Sequence, residues 1–82
     1  MVSTLHEIQL LMRQGCHLCA AARATVKDVT ERMNMEFSEL DIDEHPELLA
    51  RHHEEVPVLL IDGQVRDFWT VDGKRLERLL GS

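Results

Sequence analysis

The sequence has no long apolar run. Its longest stretches of that kind, such as Val56 to Ile61, fall far short of the roughly 20 residues that a membrane-crossing helix needs. It is also short of cations. Nine Lys and Arg stand against 15 Asp and Glu, a formal net charge of −6. That balance disfavours a nucleic-acid backbone or an anionic membrane surface as partner, because both are polyanions. The opening residues, MVSTLHEIQLLM, lack a basic leader followed by a long apolar segment, and they carry Glu7 in their middle. No secretion signal is read there, so the expected compartment is the reducing cytoplasm. Internal repeats, low-complexity tracts and linkers are missing too. Cysteine is scarce: there are two, Cys16 and Cys19.

What is present suits one small soluble domain over residues 1–82. Hydrophobic residues make up 44% of the chain, enough for a packed core without many cross-links, and charged residues make up 29%.

The apolar pattern divides the chain into elements. His6 to Met12, with Ile8, Leu10, Leu11 and Met12, reads as a mostly buried strand that Gly15 interrupts. From there the period changes. Leu18, Ala22, Val26, Val29 and Met33 recur at helical spacing, which predicts a helix from about Cys16 to Met33 with those residues on its inner face. Glu36 to Ile42 alternates as a strand does. Asp43-Glu44-His45-Pro46 then reads as the start of a short helix bearing Leu48, Leu49 and His52, since proline and acids suit a first helical turn. Val56 to Ile61 is an apolar strand opened by Pro57. Asp62-Gly63 is a hairpin signal, and Gln64 to Trp69 is the returning strand. Phe68 and Trp69 should alternate faces, so one of them should be core. Trp69 ranks as the core one, the alternative being an outward Trp69 that borders the thiol site. Asp72 caps a last helix that Gly81 ends. The order is β-α-β-α-β-β-α: an α/β fold with a parallel β-α-β crossover and an antiparallel hairpin in one sheet, flanked by helices.

The cysteine pair admits three uses. As a structural staple it is weak, because a disulfide closing a four-residue loop contributes only about 2 kcal/mol and joins no distant elements. As a metal site it supplies two of the four ligands zinc takes. His17, His52 and His53 are candidates for the rest, yet there is no second Cys-x-x-Cys and no His-x-x-x-His, and adjacent histidines on a helix point apart. As a redox couple the spacing fits best. Cys16 lies where a strand gives way to a helix, among unpaired N–H groups at the positive end of the helix dipole, which favours its thiolate. Cys19 is one turn further in, within disulfide reach and more buried. Cys16 is then the nucleophile and Cys19 the resolving thiol. His17 and Arg13 are placed to add positive potential beside the thiolate, although either also suits ordinary solvated surface.

The segment Gly15-Cys16-His17-Leu18-Cys19 opening a long helix, Asp41-Ile42-Asp43, Val56-Pro57, the Asp62-Gly63 hairpin and the C-terminal helix together resemble the glutaredoxin-like group of the thioredoxin superfamily. The resemblance spans nearly the whole chain. It implies a thioredoxin-like fold of glutaredoxin size, with a four-stranded mixed sheet. It also implies a cis peptide bond before Pro57, which would face the thiols, and a Val56 backbone that pairs with an extended substrate. From the sequence alone that bond would be read as trans, the commoner form. Asp72 would receive the amino group of glutathione. The chain departs from the group's pattern at three places. His17-Leu18 replaces Pro-Tyr between the cysteines, no tyrosine exists anywhere, and Phe68-Trp69-Thr70-Val71 stands where a Gly-Gly pair follows the last strand.

The expected function is a dithiol thiol-disulfide oxidoreductase acting on protein or small-molecule disulfides. It needs no bound cofactor or metal, acts as a monomer, and takes electrons from glutathione or from a reductase. The alternative is a thioredoxin-fold binding module whose cysteines ligate a metal or a partner.

Overall fold

In a computed structural model of the chain, which describes residues 6–81, strand β1 (Ile8–Met12) runs through the middle of the sheet. Leu10 and Leu11 are adjacent in sequence and point to opposite faces, yet both are fully buried. A strand buried on both faces must be central and covered on both sides. It lies between β2 (Ser38–Asp41), which it pairs with in parallel, and β3 (Val58–Ile61), which it pairs with antiparallel. β4 (Gln64–Phe68) closes the hairpin, and the strand order is β2-β1-β3-β4. This is the mixed four-stranded sheet that the resemblance implied.

One face carries Ile8, Leu10, Leu59 and Ile61 and is covered by helices α1 (His17–Arg32) and α3 (Gly73–Gly81) through Ala22, Val26, Val29, Leu76 and Leu80. Each of the Val, Leu and Ile side chains contributes about 1.5–3 kcal/mol when withdrawn from water. The other face carries Leu11 and Val58. Ile42, in a short 3-10 helix (Ile42–Glu44), covers it together with Leu48 and Leu49 of α2 (Pro46–His52). No helix among the described residues is long and apolar enough to cross a membrane. The expected domain, 1–82, extends past the described residues at both ends, and the residues before His6 read as lacking a leader lie outside them.

The turns follow from residue chemistry. Asp62 (φ 54) and Gly63 (φ 82) both take the left-handed conformation that a tight two-residue hairpin demands. Asn34 (φ 59) takes the same conformation after α1, and the Met35 N–H closes back on the Thr30 carbonyl at 2.8 Å.

Four expectations need correction. Leu18 does not belong to the inner face of α1: it is 47% exposed, and Cys19 fills that place at 3%. The inner stripe is therefore Cys19, Ala22, Val26 and Val29, a small thiol having taken the core position usually given to an aliphatic residue. The second strand is shorter than expected, because Ile42 turns into the 3-10 helix to bury its side chain. The Val56–Pro57 bond is cis, as the resemblance implied and against the trans reading from the sequence alone, and the third strand begins only at Val58. Trp69 is not core but 52% exposed, and Phe68 is 43% exposed. The alternation rule fails here for two reasons. A bulge opposite Leu59/Leu60 inserts Arg66 into β4, which resets the faces. Trp69, at φ 66, has already left the strand. Phe68 pairs with Val58 and shares its face, but it lies on the edge strand.

Candidate functional site

β1 hands the chain to α1 through Arg13, Gln14 and Gly15. Gly15 sits at φ 77, a turn that other residues rarely make. Cys16 follows in extended conformation as the N-cap of α1. Its sulfur accepts a hydrogen bond from the backbone N–H of Cys19 at 3.1 Å, the role a Ser or Asp oxygen plays at other helix starts. The first turn of α1 holds no carboxylate to oppose negative charge on that sulfur. Cys16 is partly exposed and Cys19 buried; their Cα atoms are 5.2 Å apart and their sulfurs are joined as a disulfide. The pair thus has one accessible and one protected sulfur, which is the asymmetry that thiol exchange requires.

An open groove of about 310 Å³ runs along the cysteines, lined among others by Arg13, His17 and Arg23. Each arginine has a carboxylate partner. Arg13 Nε and Nη2 both meet Asp43 Oδ1 at 3.1 Å, and Arg23 Nε meets Glu39 Oε2 at 2.9 Å. The positive potential of Arg13 at the thiols is therefore offset by Asp43. His17 is exposed. Among the described residues no group of three His, Cys, Asp or Glu side chains is arranged to hold a metal ion. His52 is instead directed to Glu55 (2.9 Å) and His53 to Glu54 (3.3 Å).

The sheet register brings the remaining candidates to the same end. Leu11 pairs with Val58, so the β1 end leading to Cys16 lies beside the start of β3, which Pro57 immediately precedes. Pro57 is buried, and neither it nor Val56 lines the groove. Among the described residues, the N–H and C=O of Val56 make no hydrogen bond, and Val56 is partly exposed. A free backbone donor and acceptor in this position can take up an extended chain. Phe68 pairs with Val58 at that same end, and Trp69 donates its N–H to the Pro57 carbonyl at 2.8 Å. Asp72 lies beyond it, where its Oδ1 accepts from Lys74 N (3.0 Å) and Arg75 N (3.3 Å), so its position is that of the expected helix cap.

From the sequence, a core role for Trp69 ranked above an outward one bordering the thiols, and the exposure of Phe68 alongside it and the place of Arg23 beside the cysteines were missed. Arg23 lies one helical turn beyond Cys19, and that spacing was the available signal.

A family model described as a glutaredoxin-like domain (DUF836) matches residues 7–81. The protein Rv0508 of Mycobacterium tuberculosis is 28% identical over 75 residues, which cover 85% of this chain and 77% of that protein. The X-ray structure of the protein XcR50 from X. campestris is 28% identical with a TM-score of 0.74, covering 90% of this chain and 95% of that one. The solution structure of Ne2328 from Nitrosomonas europaea shares the fold at 22% identity and a TM-score of 0.80, covering 98% and 95%. With a thioredoxin-like sheet and a Cys-x-x-Cys pair at the head of α1, the chain belongs to the glutaredoxin-like domain family (DUF836).

Proposed function

We propose that the protein is a dithiol thiol-disulfide oxidoreductase. The observation that carries this reading is the unequal pair: a partly exposed Cys16 sulfur held by the Cys19 N–H at a helix start, with a buried Cys19 sulfur within bonding reach. In the reduced form the Cys16 thiolate attacks one sulfur of a substrate disulfide. A Cys16–substrate bond forms, the substrate S–S bond breaks, and one substrate thiolate leaves. Cys19, deprotonated, then attacks Cys16 Sγ and expels the second substrate thiolate. Two electrons pass from the dithiol to the substrate, and Cys16–Cys19 is left oxidised. A thiol reductant, glutathione or a reductase, restores the dithiol by the same exchange in reverse. Val56 is read as the backbone that aligns an extended substrate beside Pro57, and the working compartment as the cytoplasm.

The test is a disulfide-reductase assay on the purified protein, supplied in parallel with glutathione plus glutathione reductase and with a thioredoxin-reductase system. Turnover with either supports the reading, and the responding system identifies the donor. A protein that turns over with neither, and carries a stoichiometric metal with both thiols shielded from alkylation, is instead the binding module.

A further inference from the structure

Phe68 and Trp69 are an exposed aromatic pair that the fold holds in one arrangement. Their ring centroids are 5.0 Å apart, edge to face. The indole N–H of Trp69 donates to the Glu54 carbonyl at 3.0 Å, and its backbone N–H reaches the carbonyls of Pro57 (2.8 Å) and Glu55 (3.3 Å). Trp69 does this at φ 66, a left-handed conformation uncommon for a bulky side chain and maintained only where the surroundings over-determine it. A rigid, half-exposed tryptophan leaves little side-chain entropy to be lost on binding, and aromatic anchors of this kind dominate binding surfaces. The pair stands at the thiol end of the sheet, bonded to the residue that follows Val56. The residues around it are acidic: Glu54 and Glu55 bond Trp69 through their backbone carbonyls, and the Asp67 carboxylate accepts the Phe68 N–H. The Glu54 carboxylate lies 3.3 Å from His53 Nε2 but keeps a side-chain exposure of 84%, open to a further cation.

We propose that the Phe68–Trp69 pair is a selecting wall of the thiol site. It receives the segment beside the reactive cysteine of a protein disulfide, where that segment carries an apolar and a basic side chain. The apolar group covers the rings, and the cation meets the indole face and the Glu54 carboxylate. Disulfides without such a segment are attacked by Cys16 but not held. This rests on the oxidoreductase reading above.

The test compares three substrates of the reduced protein: a peptide disulfide with Leu and Arg flanking its cysteines, the same peptide with Ser and Glu, and 2-hydroxyethyl disulfide. Wild type should prefer the Leu/Arg peptide to the Ser/Glu peptide by about tenfold. In Trp69→Ala the rate ratio of the Leu/Arg peptide to 2-hydroxyethyl disulfide should fall about tenfold, mostly through KM, and in Phe68→Ala by less. Trp69→Asn, a residue at ease in the left-handed conformation, gives the same comparison should the alanine variant fail to fold. Trp69 is the chain's one tryptophan, so its emission should shift on adding the Leu/Arg peptide with its cysteines replaced by serine. Ratios that move less than twofold overturn the proposal, as does a wild type that treats the two peptides alike. So does a dimer in solution that Trp69→Asn dissolves, which would make the pair a contact between copies. Turnover of none of the three substrates by wild type sinks the oxidoreductase reading, and this proposal with it.

Discussion

The backbone N–H of Cys19 reaches the sulfur of Cys16 at 3.1 Å, while the Cys19 sulfur is withdrawn into the face of α1 that packs on the sheet. One residue therefore stabilises charge on its neighbour's sulfur and keeps its own out of solvent. In the reduced protein, iodoacetamide should modify Cys16 at least roughly tenfold faster than Cys19, since reaction requires an accessible thiolate. Cys19→Ser should accumulate mixed disulfides through Cys16, and Cys16→Ser should have no reductase activity. Peptide mapping by mass spectrometry reads both. Full activity in Cys16→Ser would remove the proposed mechanism.

Asp62 joins the hairpin to the start of β1. Its Oδ1 accepts the Glu7 N–H at 2.8 Å, its Oδ2 meets His6 Nδ1 at 2.8 Å, and its own N–H donates to the Glu7 carbonyl at 2.8 Å. The Glu7 N–H, and after it His6, hold the carboxyl below the usual carboxylate range, with Arg66 adding a weaker attraction. A carboxyl lowered in the folded state binds protons more readily when unfolded. Its stabilisation is present above the unfolded value, about pH 4, and is lost as pH falls through the lower folded value. Asp62→Asn keeps a residue that tolerates the left-handed turn but removes the charge. At about pH 5 to 6 the melting temperature of the variant should lie below wild type, and the gap should narrow below about pH 4. A gap that widens in acid would contradict this.

The sequence revealed the chain of elements because each carries its own period or terminus signal. Ile8, Leu10 and Leu11 mark a strand, Ala22, Val26 and Val29 a helical stripe, and Asp62-Gly63 a turn. Cys16 was legible as a helix start for the same local reason. What was not legible depends on contacts between elements. The Arg66 bulge is a mismatch between two strands and leaves no mark on either alone. The exposure of Phe68 depends on its lying on the edge strand. The partners of Arg13 and Arg23, Asp43 and Glu39, lie 30 and 16 residues away, so only the fold makes them neighbours.

Leu18 and Leu10 separate periodicity from burial. Both fit an apolar pattern, but Leu10 is fully buried between β2 and β3 and Leu18 stands 47% exposed between the cysteines. Leu10→Ala removes a core side chain and leaves a cavity, and it should cost about 2–5 kcal/mol. Leu18→Ala should alter stability by no more than about 0.5 kcal/mol. Guanidinium unfolding of both variants, with the cysteines kept in one redox state, measures the difference. Equal losses would mean that Leu18 packs in solution as its spacing suggests.

Asp72 tests whether a residue implied to bind glutathione is needed for the fold instead. Its Oδ1 accepts from the amides of Lys74 and Arg75, and its own N–H is held by Asp67 Oδ2 at 3.1 Å, so the side chain is committed to starting α3. That helix supplies Leu76 and Leu80 to the larger core. Removing the cap in Asp72→Ala should cost about 1 kcal/mol, and Asp72→Asn, which caps almost as well, should recover most of it. The asparagine also separates the two roles, because it keeps the hydrogen bonds and loses the charge that would meet an ammonium group. A role confined to capping predicts that KM for glutathione, in a glutathione-coupled assay, follows stability: altered in Asp72→Ala if at all, and close to wild type in Asp72→Asn. A KM that rises severalfold in Asp72→Asn, with its stability intact, assigns the carboxylate to the glutathione amino group.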